Sequence, residues 1–196
     1  IDAAANFPDF ANSKENIARD LALAKDAGFT DIVVDVRPTT GDVLFKTNIV
    51  DQVKFMYAWI GSNYTKVERT ATWDYLQAFV DEARKQGLRI HAAINTFVGG
   101  NQIDGGTGLL YRDQSKVEWA TQMNMQTGIV SVMNTSESTK FFNPAHPEVQ
   151  TFLCDLLKDL ASYDLDGIFL DRGRFLNLQT DFSEESRKQF EEYMGG

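Results

Sequence analysis

AKDAGFTDIVVDVRP, residues 24–38, decides the fold. A helical pattern carrying Ile17, Leu21 and Ala24 on one face runs into Gly28, a residue that tolerates the left-handed turn at a helix end. After a return of two or three residues, the run DIVVDVR (31–37) is rich in Val and Ile and reads as a strand. A second copy of this grammar comes next. Leu76, Phe79, Val80 and Ala83 mark a helix with Thr72 as its expected cap and Gly87 as its stop, leading into RIHAAIN (89–95). A third copy starts at Pro147, suited to the first helical position, runs through Val149, Phe152, Leu153, Leu156 and Leu160, and leads into GIFLD (167–171).

Working outward, IDAAA (1–5) reads as a weaker opening strand ahead of a helix capped by Ser13, and Ser183 caps a last helix led by Glu184 and Glu185. The order is β-α repeated four times, which implies a parallel sheet with crossover connections. The returns from helix to strand are short, whereas 38–71 and 96–146 leave the strands as long βα loops. Long loops are uncommon unless functional or disordered, and these are rich in Trp, Tyr, Phe and Asn. They sit at the carboxyl ends of the strands, where parallel α/β folds place their sites. A hairpin across GIVSV and TKFF is expected inside the second loop, and GGNQIDGGTG (99–108) reads as a flexible loop without the spacing or lysine of a phosphate loop.

Composition narrows the function classes. The chain has 196 residues, 43% of them hydrophobic and 12% aromatic, enough for a sizeable core. Its net charge of −9 and lack of a basic cluster argue against nucleic acid as a partner. No apolar run is long enough to insert in a membrane. Ile1 stands where Met would begin a primary product, which leaves an exported location open. The single cysteine, Cys154, is expected to be a buried small side chain, and with two histidines, His91 and His146, no histidine metal centre and no cofactor is expected. Carboxylate calcium sites stay open.

Strand alternation puts Asp35 and Arg37 on one face of their strand, aligns His91 with Asn95, and aligns Gly167 and Phe169 with Asp171. If the sheet curls, Asp35, Arg37, Asn95 and Asp171 converge on one pocket; the competing reading is a buried ion pair of Asp171 with Arg37 or Arg172. Glycoside hydrolysis needs two carboxyl groups, and Asp171 is the better candidate for one, held ionised by Arg172 and Arg174. Asp35 is the candidate for the other. Arg37 is expected to keep it ionised too, which points to a second carboxylate outside this chain. Trp59, Trp119, Trp73, Tyr57, Tyr64 and Tyr111 supply flat rings for stacking on sugars or for packing the loops. In NPAHPEV (143–149), His146 sits at a helix cap, structural or a hydrogen-bond donor at the pocket rim.

These segments together resemble the glycosyl hydrolase-like 10 family, bacterial and mostly exported TIM-barrel proteins. The resemblance rests on ENIARDLALAKDAGFTDIVVDVRPTTGDVLF, DEARKQGLRIHAAIN, the Trp119 loop, NPAHPEV and YDLDGIFLDRGRF followed by DFSEESRKQFEEYMG. It implies hydrolysis of glycosidic bonds in a polysaccharide, with peptidoglycan glycan strands one substrate class. The family motifs fall on Asp35, Arg37, Asn95, His146, Asp166, Asp171, Arg172 and Arg174. Phe175-Leu176 stands where the family usually has Tyr-Pro. The family domain is a (β/α)8 TIM barrel, so residues 1–196 are expected to be its amino-terminal half, an incomplete barrel of the first four β-α units, with the missing half supplied by the rest of the protein or another chain. Two other readings are a barrel that binds carbohydrate without cleaving it, and a free-standing flavodoxin-like sheet, disfavoured because Asn6-Phe7-Pro8 stands where a phosphate-binding turn would be.

Overall fold

The computed structural model describes residues 1–195; Gly196, the last residue of the expected half-barrel, lies outside them. In chain order the elements are α1 (Ala3–Phe10), α2 (Lys14–Asp26), β1 (Asp31–Arg37), β2 (Phe55–Ile60), β3 (Asn63–Glu68), α3 (Tyr75–Gln86) and β4 (Arg89–Asn95). They continue with β5 (Val98–Asn101), α4 (Leu109–Arg112), β6 (Gln122–Met125), β7 (Gly128–Ser131), β8 (Thr139–Phe141), α5 (Pro147–Leu160), β9 (Gly167–Asp171) and α6 (Glu184–Tyr193). The residues sort into two compact units. The first comprises Ile1–Pro38, Val43–Ile94 and Lys158–Asp171, the second Thr39–Asp42, Asn95–Leu157 and Arg172–Gly196.

The first unit is built on a three-stranded sheet in which β4 lies between β1 and β9. β1 and β4 pair in parallel, with Asp31 opposite Arg89 and Asp35 opposite Ala93. Parallel neighbours need a long crossover, and the connection here carries the β2–β3 hairpin and then α3, which packs on β1 and on α2. Ile32, Val34, Val36, Ile90, Ala92 and Ile94 are all buried. At the start of the sheet, Asp31 accepts two 2.7 Å hydrogen bonds from the Arg89 guanidinium and lies 2.9 Å from His91. Arg84 bridges Asp164 and Asp166, and Asp166 also accepts from the backbone of Ile90 at 2.8 Å, which ties the return into β9 to β4.

The expected strand over residues 1–5 is a correction. Only Ile1 takes a strand-like position: its amino group donates to Val33 O at 2.7 Å, and its carbonyl accepts from Asp35 N at 3.0 Å. Asp2 then caps α1, accepting from Ala5 N at 2.7 Å, because an alanine run behind an Asp favours helix over strand. The caps of the next two helices differ in outcome. Ser13 caps α2 as expected, accepting from Asn16 N, while α3 is capped by Asp74 and not by Thr72. The loop 38–71 is likewise more ordered than expected, since β2 and β3 form an antiparallel hairpin with Trp59 opposite Tyr64.

In the second unit, β5 pairs antiparallel with β8, and β6 with β7. The expected hairpin across GIVSV and TKFF is therefore corrected: GIVS turns back on QMNM through Gln126-Thr127, and TKF joins VGGN. The glycine stretch 99–108 is not a flexible loop. A Cβ on Gly100 would stand 2.4 Å from Thr107 O, and one on Gly108 would stand 2.5 Å from Gly100 Cα and 2.7 Å from Thr40 O. These glycines permit backbone to pack on backbone. Asp181 anchors the unit elsewhere, accepting from Gln122 N, the Thr121 hydroxyl and the Ser186 hydroxyl, each at 2.7 Å. Cys154 is exposed, contrary to expectation, because one residue past Leu153 turns about 100° around the helix, away from the apolar stripe.

Gly108 also has φ +81°, a conformation that alanine adopts only under strain. Gly108→Ala combines that strain with the clash, and urea unfolding should show a loss of about 2–4 kcal/mol. Gly61→Ala serves as the control, since it shares a positive φ but meets open space and should lose only about 1 kcal/mol.

Candidate functional site

The carboxyl ends of β1 and β9 bring two of the expected acids into electrostatic range within the first unit. Asp35, partly buried near the end of β1, accepts a 3.1 Å hydrogen bond from Arg37 N. Removal from water pushes its carboxyl up to about 7, against the pull of the Arg37 and Ala3 backbone N–H groups, and the negative charges of Asp2 and Asp171 push the same way. Asp35 is thus poised to hold a proton near neutrality. The expectation that Arg37 keeps it ionised is corrected.

The reason lies in the backbone. β1 carries a register irregularity after Asp35, so that Asp35 faces Ala93 while Arg37 already faces Ile94. The extra residue breaks the simple alternation, and Val36 and Arg37 are both fully buried. Arg37 and Asp35 therefore do not form the exposed pair on one face that period-two counting predicts. β9 has the opposite character: Asp171 is exposed, and so are Phe169 and Leu170 on its two faces.

Two residues outside the expected site complete this cluster. Asp2 falls within the strand expected over 1–5 and is instead the α1 cap whose charge reaches Asp35. Tyr75, at the opening of α3, is buried with its hydroxyl unpartnered, and its phenol is pushed up first by burial and then by the charge of Asp35. No periodicity would find Tyr75; its ring sits in the row Trp73, Tyr75, Phe79, Phe10, a packing signal common to any core.

Trp59 also belongs to the first unit. It is 68% exposed on the hairpin, with its ring centroid 5.3 Å from that of Tyr64, and Tyr64 is 5.4 Å from Tyr57. The remaining expected site residues fall in the second unit. Asn95 is buried at the end of β4. Trp119 is only 6% exposed, packed among Phe142, His146 and Phe152, and its Nε1 donates to Glu148 at 3.2 Å. His146 accepts from Glu148 N at 3.2 Å through Nδ1, a capping bond on the first turn of α5. Arg172 adopts φ 47°, and Arg174 turns its guanidinium onto the carbonyls of Phe175 and Leu176 at 3.0 and 2.9 Å. Among the described residues no group of three His, Cys, Asp or Glu side chains is placed to hold a metal ion, and no helix is long and apolar enough to cross a membrane.

Solved structures share the fold of this chain. An α-L-fucosidase isoenzyme 2 from Paenibacillus thiaminolyticus superposes with TM-score 0.60 and 19% identity over 95% of this chain and 24% of its own. A hypothetical protein from Ruminiclostridium thermocellum gives 0.59 and 15% over 95% of this chain and 86% of its own, and an α-amylase from Lactobacillus plantarum gives 0.53 and 19% over 100% and 42%. The chain belongs to the glycosyl hydrolase-like 10 family, whose model matches residues 3–195. It is also 30% identical to an S-layer-related protein of Niallia circulans over all of this chain, which spans 12% of that relative's length.

The raised carboxyl has a measurable signature. A folded-state value near 7 against about 3.9 in the unfolded chain means that the fold binds the proton more tightly. That contribution is fully present below pH 4 and is lost as pH rises through 7. Asp35→Asn should match the parent's unfolding free energy at pH 4 and exceed it at pH 8 by on the order of 3 kcal/mol, read from urea titrations at the two pH values.

Proposed function

We propose that this chain is part of a (β/α)8 barrel that hydrolyses glycosidic bonds of a bacterial cell-surface polysaccharide, with peptidoglycan glycan strands as the substrate class. The observation that carries the reading is the burial of the Asp35 carboxyl, which pushes it up to about 7, within reach of the charge of Asp171. Hydrolysis needs one carboxylic acid and one carboxylate about 5–9.5 Å apart. Their strands are separated by one strand, roughly 10 Å between backbones, which is close to the upper end of that range before the side chains are counted.

In the proposed reaction Asp35 gives its proton to the glycosidic oxygen as the bond from that oxygen to the anomeric carbon breaks. Asp171, in the role of the second carboxyl group, attacks or stabilises the positive anomeric centre. Water then adds to that carbon, breaking the bond to Asp171 where one has formed and freeing its carboxylate, and gives a proton to Asp35, which restores the acid. Arg37, fully buried, supports the end of β1 from within the core and does not touch the sugar. Asn95, Arg172 and Arg174 are the proposed sugar-binding residues, whereas capping by His146 and packing by Trp119 account for those two side chains without a sugar. The S-layer-related relative supports a location at the cell surface.

A second reading, binding without cleavage, is favoured by the exposed rings of Tyr64 and Trp59 with Tyr57 partly covered beside them, whose spacing suits stacking on successive sugar rings. Chromatography of products after incubation with glycan separates the two readings. In the intact protein, Asp171→Asn should lower turnover by on the order of 10³-fold or more with an unchanged melting temperature. The parent's kcat/KM should fall above pH 7 as Asp35 loses its proton. Undiminished cleavage by the Asp171 variant, or a rate flat from pH 5 to 9, would overturn the assignment.

A further inference from the structure

A cavity of about 730 Å³, lined by no residue of β1 or β9, lies within the first unit between the 46–54 segment, the approach to α3 and the end of α5. Three cations line it: Lys46, Lys54 and Arg69. Such a concentration is unexpected in a chain of net charge −9. The two acids in the lining are already engaged. Asp74 accepts from the Tyr163 hydroxyl at 2.5 Å and from Gln77 N at 3.2 Å, and Asp159 accepts from the Thr47 hydroxyl at 2.6 Å.

Although the charge of Asp74 in the same lining reaches it, Arg69 is hydrogen-bonded by no carboxylate among the described residues. Its two terminal nitrogens donate to the carbonyls of Ala71 and Trp73, its guanidinium carbon lies 5.0 Å from the Trp73 ring centroid, and its Nε is buried with no hydrogen-bond partner. A guanidinium fixed by neutral carbonyls keeps its charge available to a ligand, and an orphaned buried donor is costly unless something fills the site. Lys46 and Lys54 stand on the same wall with ammonium groups engaged in no ion pair among the described residues. Asn48 and Gln52 add amides to the lining, the kind of group that pairs with sugar hydroxyls; the Gln52 nitrogen donates to Phe45 O at 2.6 Å, which leaves its carbonyl oxygen to accept.

We propose that this cavity binds an anionic saccharide unit, its carboxylate or phosphate held by Lys46, Lys54 and Arg69 and its hydroxyls by the amides of Asn48 and Gln52. The anion part stands on the cavity alone; the saccharide part rests on the reading of the protein as glycan-acting. The site would hold a charged unit of the polymer apart from the acids at the strand ends.

Calorimetry on the intact protein with glucuronate, glucose 6-phosphate, glucose and inorganic phosphate tests this. Saturable binding of one or both anionic sugars is expected, weakened at least tenfold by K46Q/K54Q and weakened by salt, with glucose showing none; which of the two binds tells carboxylate from phosphate. Equal binding of glucose, no binding of either anionic sugar, or an unchanged affinity in K46Q/K54Q would overturn the proposal. Inorganic phosphate binding as tightly as the sugar phosphate would overturn its saccharide part. Because Lys46 and Lys54 lie outside the proposed catalytic pair, Asp171→Asn should retain this binding, so a failure of the hydrolytic reading and a failure of this one give different results.

Discussion

Two parallel strands cannot be joined by a tight turn, and the parallel pairing of β1 with β4 imposes that constraint on the whole first unit. The chain must travel back along the sheet before β4 begins, and α3 makes that journey while covering β1. Everything between Pro38 and α3 is then free to elaborate at the carboxyl end of β1. The β2–β3 hairpin and the walls of the cationic cavity are both products of that freedom. The ion pairs at the other end of the sheet, Asp31 with Arg89 and Arg84 with Asp164 and Asp166, are exposed and contribute modestly each; their shared effect is to hold strand starts in register.

The chemistry gathers at the opposite end for a related reason. Asp35 sits where the irregularity in β1 turns Arg37 into the core, so the carboxyl loses the solvent that would favour its ionised form without gaining the alternation partner that would restore it. Asp2 arrives because Ile1 brackets Val33 and Asp35 through its backbone and α1 must start immediately after. A helix cap, a strand irregularity and a strand end thereby place Asp2 and Asp171 each in electrostatic range of Asp35. Electrostatic repulsion among them is relieved if one keeps a proton, and burial selects Asp35.

Much of this is legible in the residues. Val and Ile in DIVVDVR and RIHAAIN mark β1 and β4, and Ser13, Gly87, Pro147 and Ser183 mark helix ends because caps and turns depend on local chemistry. Residues 1–5 mislead because Ile-Asp followed by alanines carries both a strand start and a helix cap, and tertiary pairing takes only Ile1. The irregularity after Asp35 leaves no local trace, so period-two counting misplaces the faces of Asp35 and Arg37. The glycines at 99–108 look mobile because composition cannot distinguish a free backbone from one pressed against Thr107 and Thr40. Partners in a hairpin such as β6–β7 depend on register, which short polar strands specify weakly.

The tryptophans occupy three unlike settings: Trp59 open on the hairpin, Trp73 half-covered beside Arg69, and Trp119 enclosed among Phe142 and Phe152. The molecule consequently carries its own set of optical reporters. A collisional quencher in the solvent reads Trp59 first, the emission of Trp73 responds to what enters the neighbouring cavity, and Trp119 stays silent until the second unit opens.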